Sequence, residues 1–296
     1  MWFIAIILSL IIGISEFDLF VRISDIASSL QSQCLKFTPD SFYKEIYAAI
    51  VCGKKLQSSE FSQNLKNLGI YHVIIVSGSH LIFLSLLVEK FFSSPRLSQL
   101  RFITLPLLAT YALATGAEPP VVRALLSIGI DTYQKKKKLF WNQNEVIFIS
   151  VLISLALFDP WKKSYSLLLS YVASVTLSLT GKQNLIAKNI WIYFLILPFL
   201  LPLSAPNPLS FITNMVLAPL IGFLFFPLSF LSYIIPYFYL LVDPLWKGFL
   251  FLCSAVGPEL ESLDKFQILI SYMWMMAVAL NIYGIYQEKK AFHGLP

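Results

Sequence analysis

"GIYHVIIVSGSHLIFLSLL", residues 69–87, reads as a membrane helix with a fault in it. Its apolar run is long enough to enter a bilayer, where a span takes about 20 residues. Yet His72 and His80 bracket Ser77, Gly78 and Ser79, a turn that weakens a helix by backbone entropy and by competing hydrogen bonds. Irregular backbone at membrane depth is tolerated only where it is buried in protein or lines a wet cavity. The segment therefore predicts a deliberate break, with Gly78 allowing close backbone approach and the two imidazoles turned toward a water-filled path.

Composition sets the premise. Hydrophobic residues make up 57% of the 296 and charged ones only 13%, against roughly a quarter charged in a soluble domain. Mean hydropathy is +0.73. The expectation is an all-α polytopic membrane bundle of about eight to eleven spans. Spans are predicted near 1–14, 68–91, 102–117, 119–134, 139–158, 164–180, 189–204, within 208–257, and at 266–286. The first segment lacks a basic n-region and a cleavage site, so it reads as a retained span. Nine prolines between 198 and 258 predict short, bent helices there. Segment 41–66 carries Phe42, Ile46, Ala49 and Ile50 at helical spacing with Lys44 and Glu45 between, the pattern of an amphipathic interfacial segment. The chain divides into an N-terminal span and short outer segment (1–40), a transmembrane domain (41–288) and a tail (289–296).

Basic residues orient the spans. With a cytoplasmic N-terminus, Arg96, Arg101, the run Lys135–Lys138, Lys182 and Lys188 fall inside, as do Lys289 and Lys290 if region 208–286 crosses an odd number of times. Residues 15–66, 116–120, 159–163 and 204–208 fall outside. Lys54, Lys55 and Lys66 then form a candidate outer surface for collecting a polyanion. The three cysteines, Cys34, Cys52 and Cys253, fit no zinc spacing. They read as free thiols, with Cys34 and Cys52 able to pair only where both face an oxidising compartment.

A second constellation lies in "TGAEPPVVRALL", 115–126. Glu118 precedes Pro119-Pro120, a helix start that suits proline, and Arg123 follows in the second turn. An intramembrane arginine normally faces protein or water with a partner, here either Glu118 or a ligand phosphate. Free amides at the helix N-terminus favour an anion. Asn214 and Pro219 add a polar group and a break farther on. His72 and His80 lie two turns apart, too far to share a metal, and no metal, cofactor or nucleotide-binding motif occurs. Ser77 with His80 lacks an orienting acid for hydrolase chemistry, so the chain is not expected to be an enzyme.

At these motifs the sequence resembles the transmembrane competence domain of ComEC-type proteins. The similarity runs through "GKKLQSSEFSQNLKNLGIYHVIIVSGSHLIFLSLL", "LATGAEPPVVRALLSIGI", "LFDPWKKSYSLLLSYVASVTL" and "PLSFITNMVLAPLIGFLFFPLSFL", in the family's order. Ser79 stands where the family usually has leucine. The resemblance implies a bacterial inner-membrane channel that passes single-stranded DNA into the cytoplasm during natural transformation. Its implied partners are an outer DNA receptor, a separate nuclease, and a cytoplasmic motor or single-strand-binding protein, with membrane lipids around it. The family's OB-like and metallo-β-lactamase-like domains are not expected in this sequence. Two other readings remain open: a secondary transporter or channel for a smaller anion, and an intramembrane hydrolase.

Overall fold

The computed structural model describes residues 19–57, 60–75, 77–91, 103–139, 141–157, 164–180, 185–200, 210–256 and 273. All regular structure among them is helical. The helices are α1 (Leu19–Lys36), α2 (Lys44–Cys52), α3 (Glu60–Asn67), α4 (Tyr71–Ile74), α5 (Gly78–Phe91), α6 (Thr104–Ala114) and α7 (Pro119–Lys137). They continue with α8 (Gln143–Leu157), α9 (Tyr165–Leu179), α10 (Leu185–Leu200), α11 (Ser210–Leu220), α12 (Phe226–Ile234) and α13 (Tyr239–Val256). From α5 to α11, each helix packs against its successor, as short connections dictate.

Fewer stretches reach membrane length among the described residues than the eight to eleven spans expected from the sequence. Two stretches among the described residues are long and apolar enough to cross a bilayer, Tyr71–Lys90 and Met215–Ile234. Thr104–Ala114, Gln143–Ala156 and Tyr165–Leu179 are apolar but shorter. The shortening has visible local causes. α6 stops at the Thr115–Ala117 turn, where Gly116 and Ala117 take positive φ, and α7 starts afresh on Pro119. The predicted spans at 1–14 and 266–286 lie almost wholly outside the described residues, as do Arg96, Arg101, Lys182, Lys289 and Lys290.

The described part of the proline-rich region contains short helices interrupted by an irregular turn. A five-residue π turn, Ile221–Phe225, joins α11 to α12 between Pro219 and Pro227. Neither proline can donate the N–H that closes an α turn, so the ladder is already loosened on both sides. Pro219 lies inside α11 and is exposed; Pro244 lies inside α13.

Segment 44–52 corrects an expectation. α2 is not interfacial: every residue from Ile46 to Cys52 is buried. Apolar spacing picked out one face, but Tyr47, Ala48, Val51 and Cys52 fill the others, and a helix apolar all round is a core helix. Phe42, just before it, is 93% exposed. α2 packs into the larger core with Leu65, Ile70, Ile74, Ile221, Phe225, Phe226, Trp246 and Phe249. A smaller core of Leu81, Leu108, Ala112, Val121 and Ala124 joins α5, α6 and α7.

The cysteines require a second correction. Cys34 and Cys52 form a disulfide, their Cα atoms 5.9 Å apart, and only Cys253 of the three is free. The spacing of cysteines along a chain carries no record of which helix ends meet. Here the C-terminal ends of α1 and α2 converge, and Gln31 Nε2 donates to the Cys52 carbonyl at 2.9 Å.

Candidate functional site

The break in the opening segment is real. α4 ends at Ile74, Ile75 is extended, and a new helix begins at Gly78. The first helix is left at Ile75, and Ser77 stands directly before the new helix. His80 folds back over this start, its Nδ1 accepting the Ser77 backbone N–H at 3.3 Å. The Ser77 and Ser79 hydroxyls bond each other at 2.6 Å. A backbone donor orphaned by the helix start is thereby satisfied by a side chain.

Gly78 is small because α7 is there. A Cβ on it would lie 3.0 Å from the Pro120 carbonyl oxygen, 3.2 Å from Ala124 Cβ and 3.7 Å from Arg123 Nη2. The N-terminal turns of two separate helices thus touch, and the tip of Arg123 lies at their contact. The polar break sits level with the start of α7 rather than halfway along it.

Arg123 is only 6% exposed. Its Nε donates to Ser170 Oγ of α9 at 3.1 Å. No carboxylate among the described residues pairs with it, and the other N–H groups of its fork meet no protein acceptor there. Glu118, the expected alternative partner, stands before α7 without a side-chain cap bond and makes no ion pair with Arg123. The reason is directional. A side chain at 123 leaves the helix toward α5 and α9, whereas Glu118 belongs to the extended connection before the helix. A nearly buried guanidinium held by one neutral hydroxyl retains strong capacity for an anion.

The two histidines separate. His72, on α4, is exposed on the surface of the chain. His80 is fully buried, its ring stacked on Phe226 at 4.3 Å and 6°. It is sealed by aromatic packing rather than turned toward an open path. Its ring meets the Ser77 backbone, not the Ser77 hydroxyl. Among the described residues, no three His, Cys, Asp or Glu side chains lie close enough to share a metal ion.

Lys54 and Lys55 are exposed and follow Gly53, whose φ is 71°. A Cβ on Gly53 would come within 2.6 Å of the Thr115 carbonyl, so this lysine pair sits beside the turn that leads into α7. Lys66 is exposed as well, its Nζ 5.3 Å from the centre of the Tyr71 ring. At the far end of α7, Lys135 pairs with Asp131 at 2.6 Å, and that hydrogen bond raises its pKa above the ordinary lysine value. Asn214 lies on α11, and its side chain is outside the described residues.

Sequence reasoning missed Ser170, Phe226, Tyr111 and Asp243. Asp243, half-buried on α13, accepts Ser41 Oγ at 2.8 Å on both oxygens and Tyr47 Oη at 2.9 Å. It ties the entry to α2 down to α13. The lone acid of a long apolar region was the available signal.

These features define an all-α membrane protein whose broken helices bring their N-terminal ends together around a buried cation. Residues 50–286 match the Competence protein family model, and the chain belongs to that family. Membership connects it to competence, the cellular capacity for DNA uptake. No curated protein and no solved structure matches the chain.

Proposed function

We propose that this protein is a multi-pass channel of the bacterial inner membrane that passes single-stranded DNA into the cytoplasm, and that it does so without catalysing a reaction. The observation that carries this reading is Arg123: nearly buried, without a carboxylate among the described residues, and placed where two helix N-termini meet. A phosphodiester is a natural complement, because it accepts from a guanidinium fork and from helix-end amides alike. One such contact binds a phosphate without the tight basic ring that would trap a polyanion.

Lys54 and Lys55 support an approach route, since they stand exposed beside the turn preceding α7. The disulfide between Cys34 and Cys52 supports an oxidising, outer setting for this end of the bundle. Lys135–Lys138 at the other end of α7 suit the cytoplasmic side. The chain has no nucleotide-binding motif, so the pull on the strand belongs to a cytoplasmic motor or single-strand-binding partner. Delivery of the strand belongs to an outer receptor and a separate nuclease.

Uptake of labelled DNA by cells lacking this protein tests the reading. Surface-bound DNA should accumulate while entry into the cytoplasm stops. Normal entry in those cells overturns it. Normal DNA entry together with lost uptake of a small phosphate ester would favour the smaller-anion transporter instead.

A further inference from the structure

Phe226 lies flat on His80 and is itself fully buried. Tyr111, Phe83 and Phe230 surround it, ring centres 6.4, 6.0 and 6.1 Å away. Two polar atoms in this nest, His80 Nε2 and Tyr111 Oη, are buried without a hydrogen-bond partner among the described residues. Since His80 Nδ1 accepts the Ser77 N–H, the neutral ring carries its proton on Nε2 and has a donor to offer. A phenyl ring can stack on His80 but can answer neither polar atom. Native cores seldom leave two such groups on one side chain's neighbours without a reason.

The backbone beneath Phe226 also departs from the regular α ladder. Phe226 follows the π turn directly and precedes Pro227. Such π turns inside α-helices occur frequently at functional sites.

We propose that Phe226 holds the place of a nucleobase: as the strand passes, a base takes the stack on His80 and turns its edge to Tyr111 Oη, while the in-plane His80 Nε2–H is left to the sugar–phosphate beside it. This rests on the DNA reading and names which part of the strand the second contact recognises. Every base has a π face and an edge acceptor, so the slot is indifferent to sequence. Arg123 then reads the phosphate and His80 reads the base. The phenyl ring keeps the slot closed between strands.

The test uses the full chain in lipid nanodiscs, with an oligothymidine strand and an equally long abasic strand that keeps every phosphate. Wild-type protein should bind oligothymidine more tightly than the abasic strand. Phe226→Leu keeps apolar volume but removes the stacked ring, and should raise oligothymidine affinity roughly tenfold, the scale of one base–aromatic stack. Affinity for the abasic strand should stay unchanged. His80→Leu should erase the preference for bases. If Phe226→Leu shifts both strands equally, or neither, the ring is core packing and the base slot is overturned. If wild-type protein binds both strands alike and Arg123→Gln abolishes that binding, the DNA reading stands and the base slot alone fails. If it binds neither strand, both fail together.

Discussion

Arg123 Nη2 lies 3.7 Å from the point where Gly78 would carry a Cβ. Two polar interruptions, more than 40 residues apart in the chain, are therefore one junction. α5 contributes a fresh helix start without a side chain, and α7 contributes the cation that fills the space. The arrangement makes the small residue and the arginine depend on each other.

Gly78→Ala should already disturb the junction. The added methyl meets the Pro120 carbonyl oxygen at 3.0 Å and Ala124 Cβ at 3.2 Å, and backbone cannot swing aside as a side-chain tip would. Overpacking of this kind costs about 1–3 kcal/mol. Thermal unfolding in detergent should show the loss, and Gly78→Leu should insert in the membrane yet stop DNA entry. Wild-type uptake by Gly78→Leu would reduce the close approach to packing detail and turn the search for a path to Asn214 and Pro219.

Arg123→Lys keeps the charge but loses the planar fork and its Nε bond to Ser170. DNA entry should fall roughly tenfold, equivalent to one charge-assisted hydrogen bond. Exchanging Arg123 with Glu118 should not restore it, because the two side chains form no pair. Full uptake by the exchanged protein at normal expression would reject the phosphate role.

Reduction should loosen the end of the fold where α1 and α2 converge. The Cys34–Cys52 link closes a loop with a sequence separation of 18, for which chain entropy predicts about 3 kcal/mol. Cys34→Ser, Cys52→Ser and the double substitution should lower the melting temperature equally, and dithiothreitol should affect none of them further. A thiol reagent labelling both cysteines in untreated protein would contradict the pairing.

Asp243→Asn should destabilise the chain by about 1–3 kcal/mol, the range for losing the charge in hydrogen bonds from hydroxyls. Ser41 and Tyr47 donate to this carboxylate, so the connection between α1 and α2 should become the first region to open. Hydrogen exchange of residues 38–47 reads this directly. Unchanged protection there would show that α2 is held by its apolar packing alone.

Cysteines introduced at Lys54 and Lys137 test the orientation. An impermeant maleimide should reach the first in intact cells, and the second only after the membrane is opened. Labelling at 137 from outside would invert the bundle and move the entry face.

The helical, membrane-embedded character was decided by composition and by long continuous apolar runs, because only helices and closed barrels satisfy their backbone in lipid and a barrel strand alternates apolar with polar residues. The breaks at Ser77-Gly78 and at Glu118-Pro119 were legible too, since glycine, serine and proline act locally on the backbone. Partnership was not legible. Whether Arg123 meets Glu118 or Ser170, whether Cys34 meets Cys52, and whether α2 lies on a surface or inside depend on which helix faces come together. Apolar spacing marked one face of α2 while its remaining sides were apolar as well. His80 shows the same division within one residue. Its polarity marked the break, but only the approach of α12 placed Phe226 on its ring and left its Nε2 atom sealed without a partner among the described residues.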